Sequence, residues 1–301
     1  MRIAFSSYKP YQKGFMKPVN KDINKTVPNL SFCASESAIS KSSSFLGDFI
    51  KRKIQMRHIE RPEFIKFSQA QTSKEAIEFG KEILGIKKYK GFKKEDLATL
   101  NWINEGLVRI NNKTKSKVTM PEKITLYPKL RNGKNSTIAS MSIKKEMAFS
   151  KEEINKLIKR TDLILADIDD ENFKKQAIEK IKNSNNFGSH IAFATEAASK
   201  FPKVNSKLHY DTYASPFSII SHEMGHLQHF VHLGSAFGYT AEGACAFLFQ
   251  NSIETAEKVS KYAQTSPCEF VAEVFAQLVD GIKIDEEVRE LYKHMGGYWI
   301  N

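Results

Sequence analysis

The chain has 301 residues, 41% of them hydrophobic and 27% charged, with a formal net charge of +12; this is the composition of a globular protein long enough to bury a large core in one or two domains. Its three cysteines, Cys33, Cys245 and Cys268, are odd in number and lack C-x-x-C spacing, so they indicate neither a disulfide framework nor a cysteine-built zinc site. The opening M-R-I-A-F-S-S-Y-K-P has no apolar h-region and nowhere do 18 apolar residues run together, which argues against a Sec-type signal and a membrane span and leaves cytoplasmic residence or a non-Sec export route.

The charge is uneven along the chain. Residues 1–67 carry 13 Lys/Arg against five Asp/Glu, so +8 of the +12 lies there. The same stretch is rich in Ser, Asn and Pro, and residues 1–70 read as a basic, largely irregular leader with one short helix over Phe45–Met56. Such a leader offers weak polyanion contact, to nucleic acid or acidic lipid, beside the simpler reading of a solvated tail.

From about Gln71 the pattern is that of folded protein, so residues 71–301 are read as one domain. Thr72 and Ser73, followed by K-E-A-I-E-F-G-K-E-I-L-G, give a helix with a start signal and a Gly stop. Leu97, Leu100, Ile103, Leu107 and Ile110 recur at helical spacing and predict an amphipathic helix over Lys94–Ile110. Pro121–Tyr127 and Ser136–Ile143 alternate like strands around the turn signal R-N-G-K-N and predict a hairpin. Helices are expected over Lys151–Ile168, entered through a Ser150 cap, and over Asn172–Lys182. His190–Thr195 and Lys207–Tyr210 read as strands, one of them a candidate edge for pairing with a peptide. His190 and His209 have no spacing to any other ligand and read as ordinary histidines.

The most informative stretch is S-H-E-M-G-H-L-Q-H-F-V-H, residues 221–232. On a helix, His222 and His226 share a face with Cβ atoms about 5–6 Å apart, so both imidazoles can meet one Zn²⁺. Glu223 then stands beside the open coordination position, where it can take a proton from an activated water. Gly225 inside the helix marks a close approach by another backbone. The competing reading is an amphipathic helix whose histidines merely share a face.

A catalytic zinc usually has a third protein ligand. S-P-C-E-F-V-A-E-V-F-A-Q-L-V-D-G, residues 266–281, is a helix by its signals, with Ser266 as N-cap, Pro267 in the first turn and Gly281 past the end. Glu269, Ala272, Glu273 and Ala276 share a side that allows close packing. One glutamate would bind the metal and the other would hold a ligand histidine; alternatively, Ser266 and Glu269 form a capping box with no metal role. His232 stands ten residues after His222, the metzincin spacing, but His229 replaces the glycine that would turn the chain back. His229 itself is either a substrate-side group or a core histidine. Cys268, about 100° round the helix from Glu269, cannot easily face the same ion.

H-E-M-G-H, followed 43 residues after its second histidine by E-F-V-A-E-V-F-A, resembles the gluzincin metallopeptidases, in particular the family of the anthrax lethal factor catalytic domain. The resemblance covers roughly residues 216–280. It implies an α+β, zincin-like metallopeptidase domain with a small mixed sheet and an active-site helix. It also implies one catalytic Zn²⁺ on His222, His226 and Glu269 with Glu223 as base, which leaves Glu273 as the glutamate that would orient a ligand histidine. Tyr262, seven residues before Glu269, would face the oxyanion, with Tyr239 in reserve and simple packing as the plainer role. The expected function is a zinc metalloendopeptidase acting on protein or peptide substrates. The alternative is a binding or structural protein, such as a phage-type component or interaction module, that keeps a zincin scaffold without turnover.

Overall fold

The computed structural model of the chain describes residues 61–132, 135–201, 215–234, 245–298 and 300. The helix expected over 45–56, the strand expected over 207–210, His209 and Tyr239 lie outside the described residues. None of the described helices is long and apolar enough to cross a membrane.

Helix α1 (Ser73–Glu82) begins where the signals place it. Thr72 is extended and its hydroxyl accepts from Glu75 N, while the Glu75 carboxylate accepts from Gln71 N at 2.9 Å, which satisfies N–H groups that the first helical turn leaves open. Gly85, at φ +73°, turns the chain out of it. Strand β1 (Lys88–Lys90) and a single 3₁₀ turn follow, then helix α2 (Leu97–Lys113). Strand β2 (Lys123–Tyr127), the two-residue strands β3 (Arg131–Asn132) and β4 (Asn135–Ser136), β5 (Ala139–Met141) and β6 (Glu146–Ser150) complete the β structure of the described residues.

The main sheet has the order β1-β2-β6-β5, with β1, β2 and β6 parallel and β5 antiparallel at the edge. The expected hairpin between Pro121–Tyr127 and Ser136–Ile143 therefore does not form. The R-N-G-K-N signal does close a hairpin, but one of two-residue strands, β3 with β4. The partner of β5 is β6, paired Ala139 with Phe149 and Met141 with Met147. Their turn, Ser142–Glu146, places Lys145 at φ +59° without a glycine to announce it.

Three helices follow: α3 (Lys151–Asp167), capped by Ser150, whose hydroxyl accepts from Glu153 N, then α4 (Glu171–Lys182) and α5 (Gly188–Lys200). Residues 190–195 lie inside α5 and are helical, not a strand. Ile191, Ala194 and Ala197 are buried on one side of it, a three-residue spacing that outweighs the local alternation of H-I-A-F-A-T. Phe193, Ala194 and Ala197 close a small core with Ile164, Ile168 and Ala177 of the preceding segments, while Ile191 joins the main core. Helix α6 (Ser218–Leu233) carries the histidine motif, and α7 (Cys245–Gln250), α8 (Ile253–Glu257), α9 (Pro267–Val279) and α10 (Glu286–His294) complete the described helices.

The described body is thus mixed α and β, with a small four-stranded mixed sheet. One core joins the sheet, α2 and α6 through Trp102, Leu107, Ile124, Phe149, Ile220 and Met224. A second lies between α9 and α10, where Phe270, Val271 and Val274 meet Val288, Leu291 and Tyr292. Helix α9 stands between them, since its Phe275 belongs to the first core.

Residues 61–70, grouped with the leader by composition, run along α2, held by its asparagines. Ala70 exchanges two hydrogen bonds with the Asn101 amide and Ile65 exchanges two with Asn112, while Asn111 bonds Pro62 O and Arg61 Nε. Arg61 also donates to Ser116 O and Val118 O. A side-chain amide sets an N–H donor beside a carbonyl acceptor with the spacing of a peptide group, so it can pair an irregular backbone as a neighbouring strand would.

Candidate metal centre

Helix α6 is buried from Ser218 to Phe230, because it lies between the sheet core on one side and α9 on the other. The second contact is unusually close. A Cβ built on Gly225 would stand 2.8 Å from Ala272 Cα and 3.0 Å from Ala272 O, so glycine is what lets the two backbones meet. Ala272 and Ala276 keep the facing side of α9 small, and Glu269 and Glu273 flank Ala272 on that side.

This packing brings His222, His226 and Glu269 together, all buried. The Nε2 atoms of the two histidines are 3.1 Å apart, and Glu269 Oε2 lies 3.1 Å from one and 3.2 Å from the other. Although it is within ion-pair distance of both imidazoles, Glu269 Oε2 meets the hydrogen-bond geometry of neither. The two Nε2 atoms are themselves within hydrogen-bonding geometry, and with Glu269 Oε2 they make a set of three ligand-type atoms that all converge on one small volume. Tetrahedral Zn²⁺ with bonds of about 2.0–2.2 Å requires donors about 3.3 Å apart, which these spacings fit. The ion pairs of Glu269 and Glu273 among the described residues are with histidines, not with Lys or Arg, so the buried carboxylates lack a permanent cation.

Of the two readings for Ser266 and Glu269, half of the cap exists. The Ser266 hydroxyl accepts from Glu269 N at 3.2 Å, while the Glu269 carboxylate turns to the histidines. Glu273 Oε1 lies 2.7 Å from His222 Nδ1; an ionised carboxylate can only accept, so Nδ1 carries the proton and Nε2 faces the centre. Its other oxygen, Oε2, accepts from the Ser260 hydroxyl at 2.9 Å.

The electrostatics follow from burial and these partners. Burial alone would lower the His222 pKa, but Glu269 and Glu273 raise it well above the ordinary imidazole value. Burial would raise Glu269, yet His226 and His222 hold it at about 2. Glu223 is raised, chiefly by burial, with the two histidines opposing. It is 1% exposed, and its Oε2 has no hydrogen-bond partner among the described residues. Tyr262 has its ring centre 5.8 Å from that of His222, and its pKa is pushed up by burial, by the charges of Glu269 and Glu223 and by a hydrogen bond with Glu269.

The other histidines lie elsewhere. Helix α6 continues through His232, which is exposed and outside the cluster. His229 is fully buried, and its Nε2 lies 2.9 Å from Met295 O, to which it donates; burial lowers its pKa to about 3. It is a core histidine tying α6 to the segment after α10. Cys268 is not among the clustered ligands. Ser260 was missed by sequence reasoning, since no motif marks it. It emerges only where the turn before α9 meets Glu273.

Neither a protein-family model, nor a curated protein, nor a solved structure matches the chain.

Proposed function

We propose that the chain is a zinc-dependent metallopeptidase of the gluzincin kind, with a zincin-like domain. The observation that carries this reading is the convergence of His222 Nε2, His226 Nε2 and Glu269 Oε2 at 3.1–3.2 Å beside a buried, partner-poor Glu223. His222, His226 and Glu269 would hold the ion. Bound there, zinc would polarise the scissile carbonyl and lower the pKa of a water enough for attack near neutral pH.

The protein's own groups do the rest. Glu223, whose carboxylate burial makes more basic, accepts the water proton and returns it to the leaving amine. Tyr262, held protonated, donates a hydrogen bond to the oxyanion of the tetrahedral intermediate. Glu273 keeps the His222 ring in its ligating orientation. A peptide substrate is favoured by β5, the edge strand that packs against α6, because an edge lends main-chain groups to an extended chain.

The test is Glu223→Gln. Casein or peptide cleavage by the zinc-loaded protein, arrested by a chelator, should fall by about 10³-fold or more, a barrier increase of about 4 kcal/mol, with zinc content close to one ion per chain. Cleavage retained in the variant would end the peptidase reading. Zinc binding without cleavage by the unmodified protein would favour the non-catalytic alternative.

A further inference from the structure

We propose that Ser260 is a positioning residue that sets metal affinity through Glu273, and that the same hydroxyl fixes the turn carrying Tyr262. The proposal rests on the reading of His222, His226 and Glu269 as metal ligands. Ser260 Oγ accepts from Ala263 N at 3.0 Å and donates to Glu273 Oε2 at 2.9 Å. A hydroxyl has one proton, and with the backbone N–H on a lone pair that proton is committed to the carboxylate. Glu273 Oε1 is engaged by the Nδ1–H of His222 at 2.7 Å. Three bonds in series therefore run from Ala263 to Ser260 to Glu273 to His222.

Because both oxygens of Glu273 are occupied, its carboxyl plane cannot rotate without losing a bond at each end. The plane in turn fixes the His222 ring and the direction of Nε2. The bond from Ala263 N also closes the turn that begins at Ser260, and Tyr262 lies within it. Thr265 N and its hydroxyl both donate to Tyr262 O, at 3.0 and 2.8 Å, so the turn is held from either side. One serine thus couples the aim of a candidate ligand to the place of the candidate oxyanion donor. Alanine would leave Glu273 Oε2 unpaired and the turn uncapped; threonine keeps the hydroxyl.

Zinc dissociation constants should be measured by chelator competition for the full chain and for Ser260→Ala, Ser260→Thr, Glu273→Ala and the Ser260→Ala/Glu273→Ala double variant. We expect Ser260→Ala to weaken binding about tenfold, at the lower end of what loss of an outer partner costs. Ser260→Thr should stay within about threefold of the unmodified chain, and the double variant within about twofold of Glu273→Ala alone, because the two residues act in one path. Ser260→Cys, near in size but a weak donor, gives the same weakening should the alanine variant fold poorly. Unchanged affinity in Ser260→Ala, or a full tenfold loss added to that of Glu273→Ala, overturns the role of Ser260 and leaves the metal site standing. If the unmodified chain takes up no zinc, the metal site falls and the role of Ser260 falls with it.

Discussion

Replacing Gly225 by alanine perturbs the contact on which the candidate centre depends. The new methyl would lie 2.8 Å from Ala272 Cα, 3.0 Å from Ala272 O and 3.0 Å from Phe275 Cβ. Carbon atoms in contact prefer about 3.5–4.0 Å, so α6 and α9 must part by about 0.7–1.2 Å, and the first obstacle is backbone, which cannot rotate aside. Overpacking of this kind costs about 1–3 kcal/mol, offset by about 1 kcal/mol from alanine's better helix propensity. A net loss of up to about 2 kcal/mol lowers the melting temperature by up to about 8 °C for a body of this size. Glu269 rides on α9, one turn from Ala272, so its carboxylate moves with the helix by a sizeable part of a zinc–oxygen bond of about 2 Å. Zinc affinity should fall at least about tenfold, measured by chelator competition beside thermal melts of both forms. Gly106→Ala is the control. Its methyl would first meet the Ile220 Cδ1 tip at 2.5 Å, on the side of α6 that faces α2, and zinc affinity there should stay within about threefold. A Gly225→Ala protein with unchanged melting temperature and zinc affinity would refute the close approach.

Glu269→Ala should weaken zinc binding by more than about 100-fold, while His232→Ala, on the exposed end of α6, should leave it unchanged; the reverse result in a metal titration would select the metzincin geometry. Deleting residues 1–60 should leave the melting temperature and zinc uptake of the body intact. Deleting 1–70 removes the segment paired with Asn101, Asn111 and Asn112 and should lower the melting temperature by at least about 5 °C, a loss of a few kcal/mol. His229 has a folded pKa of about 3 against an ordinary 6.5, so the unfolded chain binds its proton first and folding stability is lost as pH falls from 6.5 towards 3. Denaturant titrations should show His229→Gln with a shallower fall over that window, by about one proton; parallel curves would mean that His229 is not buried neutral.

Much of the centre was legible in the sequence because helix signals are local. Ser266, Pro267 and Gly281 bound α9 almost to the residue, and Gly225 and Ala272 foretold a contact that no single helix reveals. The sheet was less legible. Strand β6 is buried at four of its five positions, so it lacks the alternation that marks a half-exposed strand. Strand β1, Lys-Tyr-Lys, is three residues long. The R-N-G-K-N signal does not join long strands, since pairing is decided by what returns alongside, here β6 from further down the chain. Whether Glu269 capped its helix or faced the histidines could not be settled by local spacing, because Ser266 does cap while the carboxylate is free to turn.

Two adjacent residues of α6 grip backbone on different sides of the protein. Gln228 exchanges two hydrogen bonds with Thr119, at 2.9 and 2.8 Å, and His229 holds Met295 O. Successive helical positions point about 100° apart, so the rod is fastened at two azimuths and cannot roll. A roll of about 20° at a radius of about 6 Å would swing a side-chain tip by about 2 Å, enough to point an imidazole away from its neighbours. Thr119 follows α2 and Met295 follows α10, so the bearing of His222 and His226 is referenced to both flanks of the body at once. The two histidines are therefore aimed by contacts that reach well beyond their own helix.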